Sequence, residues 1–345
     1  DHRDLHSFPT RRSSDLSIGM VIGASWAGAR AMTATAGPGV SLMSEFVGLA
    51  YYTEIPAVIV DVQRVGPSTG LPTRTMQGDI LSNATLSHGD TRHPILFPSG
   101  PEECFSMAAD AFDLAEQFQT PVFINTDLDL GMNVWASDPL PYSDAPMNRG
   151  KVLTADDLER LGGFERYRDV DGDGVGYRTL PGTNHPAASY FTRGSGHNEK
   201  AQYSERPEDY VNNVDRLSRK FDSMRKVVPA PEVNYVDGAR IGMVFCGTSR
   251  EAALESQDQL KREYGIEAST FRLRAYPYTE ALDKFIGRHD RVYIVDQNRD
   301  GQLYQLMQLD LTAAQVAKLR SLRYYNGLPI DARSITDDIR GKEAE

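Results

Sequence analysis

Residues 55–63 read IPAVIVDVQ, a nearly continuous run of apolar and β-branched side chains. This composition is typical of a strand that is buried on both faces of a parallel sheet. Segments with helical spacing flank it, at VSLMSEFVGLAYYTE (40–54) and PEECFSMAADAFDLAEQFQT (101–120). Strands separated by helices predict an α/β fold with a doubly wound parallel sheet.

A second α/β alternation begins near residue 237, with strands predicted at ARIGMVFCG (239–247) and RVYIVDQN (291–298). The residues between the two alternations are rich in glycine, proline, aspartate and tyrosine, and a helix is predicted only at 208–227. We therefore predict an α/β domain over 17–135, an irregular connecting region over 136–236, a smaller α/β domain over 237–337 and a charged tail over 338–345.

The composition excludes several classes of protein. With 345 residues and a net charge of −11, the chain lacks the basic face that nucleic-acid binding requires. Its apolar runs are shorter than the roughly 20 residues of a membrane span. The two cysteines, Cys104 and Cys246, have no metal-binding or disulfide spacing, which favours a reducing, cytoplasmic location.

The first sixteen residues differ in character from the rest of the chain. HSFPTRRSSDL (6–16) has no apolar periodicity and resembles the in-frame translation of a sequencing adapter. It lacks the apolar centre of a secretory signal. We expect 1–16 to be foreign to the natural chain and to stand where the natural start of the first domain would be.

The strand at 55–63 runs into an unusual loop, VQRVGPSTGLPTRT (62–75). Its Gly-Pro and Leu-Pro dipeptides are turn signals that predict a stiff backbone. Arg64 leaves the carboxyl end of the strand, where ligands bind in open α/β sheets. A guanidinium presents a planar fork that suits a carboxylate, so Arg64 is either a ligand contact or half of a structural ion pair.

Two other motifs have a weaker pattern. TATAGPG (33–39) joins a strand to a helix through two glycines, which permits close approach of a ligand to the backbone, or simply forms a tight turn. DVDGDG (169–174) begins like a calcium loop, but Leu180 replaces the acid expected at position 12, so an acidic turn is favoured. We interpret His185 and His197 as surface histidines.

Together these segments resemble a known family. Residues 30–80, RAMTATAGPG through TMQGDI, are similar to the α subunit of 2-oxoacid:ferredoxin oxidoreductases of the 2-oxoglutarate type. GPSTGLPTRT (66–75) is the specific signature, since pyruvate-type relatives differ there. The resemblance continues through AFDLAEQFQTPVFINTD (111–127), YFTRGSGHNE (190–199) and VDQNRDGQL (295–303), and covers 17–335.

The resemblance implies an oxidoreductase that is heteromeric and depends on thiamine diphosphate. The α chain would supply a transketolase-like pyrimidine-binding domain and a transketolase C-terminal-like domain. A β subunit would carry the diphosphate and Mg²⁺ site and an iron–sulfur cluster. The acyl group would pass to coenzyme A and the electrons to ferredoxin, and a γ subunit or domain can accompany the complex. The cofactor supplies the difficult chemistry in such enzymes.

The resemblance also implies roles for individual residues. Arg64 matches the arginine that binds the substrate carboxylate, and Thr73, with Ser68 and Thr69, belongs to the substrate loop. Thr35, Gly37 and Gly39 match the loop that faces the cofactor. The activating glutamate of the family lies upstream of the matching segment, so no catalytic residue is expected in this chain, and we expect the 345-residue chain to be inactive even with a β subunit.

Two alternatives remain. The β-type component of a lipoamide-linked 2-oxoacid dehydrogenase has the same two-domain organisation, although GPSTGLPTRT argues against it. A scaffold subunit without chemistry of its own would also be an α/β protein.

Overall fold

The computed structural model describes residues 13–142 and 144–344. These residues form two five-stranded sheets covered by helices, which confirms the α/β class. The α-helices are α1 (Ser13–Trp26), α2 (Gly37–Thr53), α3 (Ile80–Ala84), α4 (Pro101–Phe118), α5 (Leu128–Met132), α6 (Ala155–Leu161), α7 (Pro207–Met224), α8 (Arg250–Tyr264), α9 (Glu280–Arg288), α10 (Gln302–Asp310), α11 (Ala313–Val316) and α12 (Ala332–Ala344). The strands are β1 (Met32–Thr35), β2 (Ala57–Gln63), β3 (Ile95–Leu96), β4 (Pro121–Asp127), β5 (Glu232–Asn234), β6 (Ile241–Cys246), β7 (Ala268–Leu273), β8 (Ala275–Tyr276), β9 (Arg291–Asp296) and β10 (Leu319–Arg323).

The first sheet has the strand order β1-β2-β4-β3-β8. β2 lies between β1 and β4 and is parallel to both, with Ile59 paired to Thr33 on one side and Phe123 on the other. Its apolar run is buried, as the composition of 55–63 predicts. The edge strand β8 is antiparallel to β3 and comes from the C-terminal half of the chain. The sheet is therefore mixed, whereas the sequence predicts only parallel strands.

The second sheet has the order β10-β9-β6-β7-β5, again with one antiparallel edge strand, β5. Side chains of its central strand β6 alternate between two apolar clusters. Met243 and Phe245 pack with residues of α8 and α12, whereas Val244 joins the larger cluster that also contains the core of the first sheet. One apolar core therefore connects the two sheets.

The middle region, 136–236, contains two helices where the sequence predicts one. The additional helix, α6, begins with a capping box in which Thr154 and Asp157 exchange hydrogen bonds. Helix α7 attaches the region to the first sheet through fully buried charges. Lys220 Nζ lies 2.8 Å from Glu54 Oε2, and Arg216 Nη1 lies 3.1 Å from the same oxygen.

Glu54 is the residue that ends α2, in the left-handed conformation with φ of 58°. Burial alone would raise the pKa of Glu54, but the charges of Arg216 and Lys220 outweigh it, and the pKa lies well below the usual value. The carboxylate therefore stays ionised inside the protein, held between two cations.

Two terminal segments differ from the sequence prediction. Residues 338–344, predicted as a charged tail, belong to α12, where Ile335 and Ile339 are fully buried one turn apart. Glu343 in its last turn accepts a hydrogen bond from Tyr293 Oη at 2.6 Å. Of the segment 1–16, residues 1–12 lie outside the described residues, and 13–16 form the first turn of α1. Among the described residues, no helix is long and apolar enough to cross a membrane.

Candidate functional site

Two loops leave the carboxyl edge of the first sheet side by side. The glycine loop, residues 35–39, follows β1, and the arginine loop, residues 64–75, follows β2. The two strands are adjacent and parallel, with Thr35 in register with Asp61. Both loops therefore emerge at the same edge, which is where open α/β sheets bind their ligands.

The arginine loop is closed on itself by backbone hydrogen bonds. The Val65 N–H donates to the Arg74 carbonyl at 3.0 Å, and the Leu71 N–H donates to the Val65 carbonyl at 3.1 Å. Gly70 adopts φ of 50°, and a Cβ there would lie 2.0 Å from the Val65 oxygen. Gly327 supports the outside of the loop, since its Cβ position is 3.2 Å from Arg74 Cβ. The stiffness predicted from the prolines is therefore reinforced by glycine packing.

We expect Gly70→Ala to lower the free energy of unfolding by about 1–3 kcal/mol, because alanine meets both an unfavourable φ and a backbone atom. The measurement is urea unfolding. Gly89→Ala is the matched control, since Gly89 also has a positive φ but no atom within 4 Å of its Cβ position. Equal losses for the two variants would show that the contact with Val65 does not matter.

Arg64 is half-buried at the base of this loop. Its guanidinium makes no hydrogen bond or ion pair with any described residue, and its Nε is buried without a partner. Of the two possibilities that the sequence leaves open, the structural ion pair is therefore not found among residues 13–142 and 144–344. Because a buried donor without an acceptor is costly, a free guanidinium in this position suits an external anion.

The other predicted substrate residues are exposed along the same loop. The side chains of Ser68, Thr69 and Thr73 face solvent and form no hydrogen bond with the described residues. Cavities of about 360 and 320 Å³ lie elsewhere, beside Trp26 and Tyr190 and beside Tyr52 and His88 respectively. The arginine loop thus presents an open face.

Hydrogen bonds of Thr75 and Gln77, which have no predicted role, hold the C-terminal end of the arginine loop. Thr75 Oγ1 accepts a hydrogen bond from the Asp129 N–H at 3.2 Å. Gln77 Nε2 donates to Asp127 Oδ2 at 3.2 Å and to the carbonyl of Cys246 at 3.3 Å, and so links the two sheets. The only signal in the sequence is the polar TMQGD that follows the loop.

Asn298 caps helix α10 and also bonds to the segment that follows the arginine loop. Its Oδ1 accepts from the Gln302 N–H at 2.9 Å at the start of α10. Its Nδ2 donates to the Gln77 carbonyl at 2.9 Å. Gln297 donates to Ser249 Oγ at 3.0 Å in the same buried network.

The glycine loop forms the N-terminus of α2. Pro38 lies in the first turn, and Ala36 at the N-cap position has no side chain that caps the helix. A Cβ at Gly39 would lie 1.9 Å from Thr35 Oγ1, so only glycine permits this approach. The turn therefore presents backbone rather than side chains, which is the cradle that a closely bound cofactor needs. The cofactor-facing role of Thr35, Gly37 and Gly39 stays a prediction.

Two aspartates that have no predicted role, the buried Asp61 and the half-buried Asp79, lie behind the glycine loop. The Asp61 carboxylate accepts a hydrogen bond from Asn83 Nδ2 at 2.7 Å. Asp79 lies against Gly37, with Oδ2 2.6 Å from the Cβ position of that glycine. Burial raises the pKa of Asp79 to about 6. Asp61, an acid inside an apolar strand, is the signal that the sequence offers.

The calcium-like motif is an acidic turn closed by basic residues of the chain itself. Lys151 Nζ lies 2.9 Å from Asp171 and 2.7 Å from Asp173, and Arg219 lies 3.3 Å from Asp169. No cluster of metal-ligand type occurs among the described residues. The interpretation of His197 as a surface residue is wrong, because it is buried and stacks on Tyr167 at a centroid distance of 3.9 Å.

Comparison with known proteins shows which family the chain is similar to. The family model described as pyruvate flavodoxin/ferredoxin oxidoreductase, thiamine diphosphate-binding, matches residues 16–147. The α subunit of 2-oxoacid:ferredoxin oxidoreductase 2 from Aeropyrum pernix is 35% identical over 84% of this chain and 45% of that protein. The 2-oxoglutarate synthase subunit KorA from Methanothermobacter marburgensis is 33% identical over 85% of this chain and 76% of that subunit.

Solved structures show the same relationship. The 2-oxoglutarate:ferredoxin oxidoreductase from Magnetococcus marinus, with 2-oxoglutarate, coenzyme A and succinyl-CoA bound, has a TM-score of 0.85 at 29% identity. The match covers 95% of this chain and 56% of that one. A split-gene transketolase, an inactive β4 tetramer, has a TM-score of 0.51 at 12% identity, which shows likeness of fold alone.

The chain thus spans about half the length of the Aeropyrum α subunit and three quarters of the length of KorA. The relatives in sequence are subunits of 2-oxoacid:ferredoxin oxidoreductases, and the fold matches that of a solved 2-oxoglutarate:ferredoxin oxidoreductase. The chain belongs to the family of 2-oxoacid:ferredoxin oxidoreductase α subunits.

Proposed function

We propose that this chain forms the pyrimidine-side half of a thiamine diphosphate site and binds the carboxylate of a 2-oxoacid. The complete enzyme would be a cytoplasmic 2-oxoacid:ferredoxin oxidoreductase of the 2-oxoglutarate type, which converts its substrate to an acyl-CoA and CO₂ and reduces ferredoxin. The Magnetococcus relative with 2-oxoglutarate and coenzyme A bound supports this substrate class.

The observation that carries the proposal is the guanidinium of Arg64 at the carboxyl edge of the first sheet, which has no partner among residues 13–142 and 144–344. Arg64 would donate two parallel N–H bonds to the substrate carboxylate, which fixes both its position and its orientation. Thr73, with Ser68 and Thr69 on the same loop, would donate hydroxyl groups to the rest of the substrate. Because the loop is closed by its own hydrogen bonds, these donors stay in place while the substrate enters.

Thr35, Gly37 and Gly39 would hold the pyrimidine end of the cofactor against the N-terminal turn of α2. When bound, thiamine diphosphate supplies the nucleophilic carbon and the electron sink for decarboxylation. The contribution of this chain is to place the 2-oxo carbon beside that carbon by holding the carboxylate. The diphosphate, its Mg²⁺ ion and an iron–sulfur cluster would be held by a β subunit, and a γ subunit or domain is a further partner.

The open face of the arginine loop favours a site that is shared between two subunits, because a β subunit could cover the side of the site that this chain leaves exposed. The alternative, a component of a lipoamide-linked dehydrogenase, would use the same fold but a different electron acceptor. A scaffold subunit would leave Arg64 without a function.

The test is to assemble the complete α subunit with its β subunit and to supply 2-oxoglutarate, coenzyme A, thiamine diphosphate and Mg²⁺. We expect reduction of ferredoxin, or of a viologen dye, that depends on all four. NAD reduction without ferredoxin reduction would favour the dehydrogenase, and no oxidation of any 2-oxoacid by an assembled, cofactor-loaded complex would refute the proposal.

A further inference from the structure

The buried pair of Asp61 and Asp79 lies at the junction of the two loops, and the carboxylate recognition proposed for Arg64 uses neither residue. Asp61 is fully buried in β2, and Asp79 is half-buried just before α3. After burial, the charge of Asp79 is the next cause that raises the pKa of Asp61, so the two carboxyl groups are neighbours. Two such groups cannot both be ionised cheaply, so the pair titrates as a unit.

The hydrogen bonds around the pair leave a place for one proton. Asn83 Nδ2 donates to Asp61 Oδ2 at 2.7 Å, whereas Asp61 Oδ1 has no donor among the described residues. A proton shared with Asp79 satisfies that oxygen and removes the repulsion. No other titratable group among the described residues is a cause of the pKa shift of either aspartate. Thr35 of β1 and Asn125 of β4 lie in register with Asp61, and Gly37 of α2, Gln63 of β2 and Asn83 of α3 contact the pair.

Asp79 touches both loops. Its Oδ2 and Oδ1 lie 2.6 and 2.8 Å from the Cβ position of Gly37, so the carboxyl group packs on the backbone of the glycine loop. Its backbone N–H donates to Gln63 Oε1 at 3.0 Å, one residue before Arg64. A single residue therefore connects the turn that faces the cofactor with the base of the arginine loop.

We propose that Asp79, together with Asp61 and one shared proton, is a positioning residue that holds the glycine loop in register with Arg64. The inference rests on the proposed function for the roles of the two loops, and it assigns a task to a residue outside both. Small displacements matter here, because a shift of about 1 Å between cofactor and substrate can reduce the rate on the order of 100-fold.

The first test measures the shared proton on the chain itself. Burial raises the pKa of Asp79 from 3.8 to about 6, and burial followed by the charge of Asp79 raises that of Asp61. An acid with a raised pKa in the folded state stabilises the protein less as pH rises through that value, and two pKa units correspond to about a 100-fold change in the folding constant. We therefore expect the folding constant of Asp79→Asn, divided by that of the parent, to rise about 100-fold between pH 4 and pH 7.5. Urea unfolding at the two pH values measures this ratio.

Asp237→Asn is the matched control, because Asp237 is exposed and its variant should follow the parent at both pH values. An Asp79→Asn curve that also runs parallel to the parent would contradict a shared proton. This comparison needs neither cofactor nor partner, so it is independent of the proposed function.

The second test measures the affinity of the assembled complex for thiamine diphosphate with Mg²⁺ by calorimetry. We expect Asp79→Ala to weaken binding about 10-fold, because the support of Gly37 is lost. Asp79→Asn should stay within about 3-fold, since the amide fills the same space and donates an N–H to Asp61. A merely structural residue would lose stability and affinity together. Asp79→Ala removes an acid whose raised pKa makes it destabilising at pH 7.5, so this variant should lose affinity but not stability at that pH.

The two ideas can fail separately. If the parent complex binds thiamine diphosphate and Asp79→Ala binds it equally well, the positioning role is refuted and the proposed function stands. If the parent complex binds none, the proposed function fails and the positioning role fails with it, while the unfolding comparison still decides whether the aspartates share a proton.

Discussion

Arg64→Ala should lower kcat/KM for a 2-oxoacid by about 100- to 1,000-fold in the assembled complex. The variant removes two charge-assisted hydrogen bonds to the substrate carboxylate, each of which contributes about 1.5–3 kcal/mol, and part of this loss is offset by water. At 1.36 kcal/mol for each factor of ten, a net loss of about 3–4 kcal/mol gives the expected range. Because Arg64 has no partner among the described residues, the fold and the assembly of the complex should be unchanged.

Steady-state kinetics with two substrates distinguishes which carboxylate of the substrate Arg64 binds. If Arg64 binds the carboxylate next to the reacting carbonyl, kcat/KM should fall by a similar factor for pyruvate and 2-oxoglutarate, since both substrates have that carboxylate. A loss confined to 2-oxoglutarate would assign Arg64 to the distal carboxylate instead. Arg64→Lys keeps the charge without the planar fork and should recover only part of the rate. Arg160→Ala, at an exposed arginine of α6, is the control, and full activity of Arg64→Ala would contradict the proposed role.

Glu54→Gln should lower the free energy of unfolding by about 3–5 kcal/mol, the largest stability effect that we expect in this chain. The variant leaves the cations of Arg216 and Lys220 buried without their anion, and a broken buried pair costs about this much. Burial already lowers the pKa of Lys220 to about 8 in spite of Glu54, so the variant should favour the neutral amine. Urea unfolding of the purified chain measures the loss.

The pH dependence of the same variant provides a separate check. Because the pKa of Glu54 is lowered in the folded state, its contribution to stability is present above its unfolded value of 4.5 and is lost as the pH falls below it. The difference between parent and Glu54→Gln should therefore shrink in acid. Glu45→Gln, at an exposed glutamate of the same helix, should change stability by less than about 0.5 kcal/mol. A similar small effect at Glu54 would show that the buried charges are compensated by other means.

The sequence predicts most of the fold because its strongest signals are local. The β-branched run at 55–63 becomes the interior strand β2, and the helical spacing at 101–120 becomes α4. The elements that it misses depend on partners distant in the chain. β8 is two residues long and is specified by its pairing with β3, and the turns of α12 after Ile335 are held by Ile339 in a groove beside α8.

The candidate site divides in the same way. Arg64 and the glycines of the loop at 35–39 are marked by their own surroundings, a buried strand in one case and a turn in the other. Asp79 and Gln77 have no local mark, since their roles arise only when Gly37, Asp127 and Cys246 are brought beside them. A resemblance to relatives supplied roles that the pattern of residues alone left open, such as that of Thr73.

The pairing of β8 with β3 delays completion of the first sheet while the chain is synthesised on the ribosome. When the first sheet emerges, the backbone hydrogen-bonding groups on one edge of β3 have no partner strand. These groups are paired only after Ala275 and Tyr276 have been added. Until then the nascent protein offers free backbone groups to any neighbouring chain, which is a hazard for aggregation. The N-terminal half expressed by itself would lack β8 permanently. We expect it to aggregate unless the C-terminal half is supplied in trans.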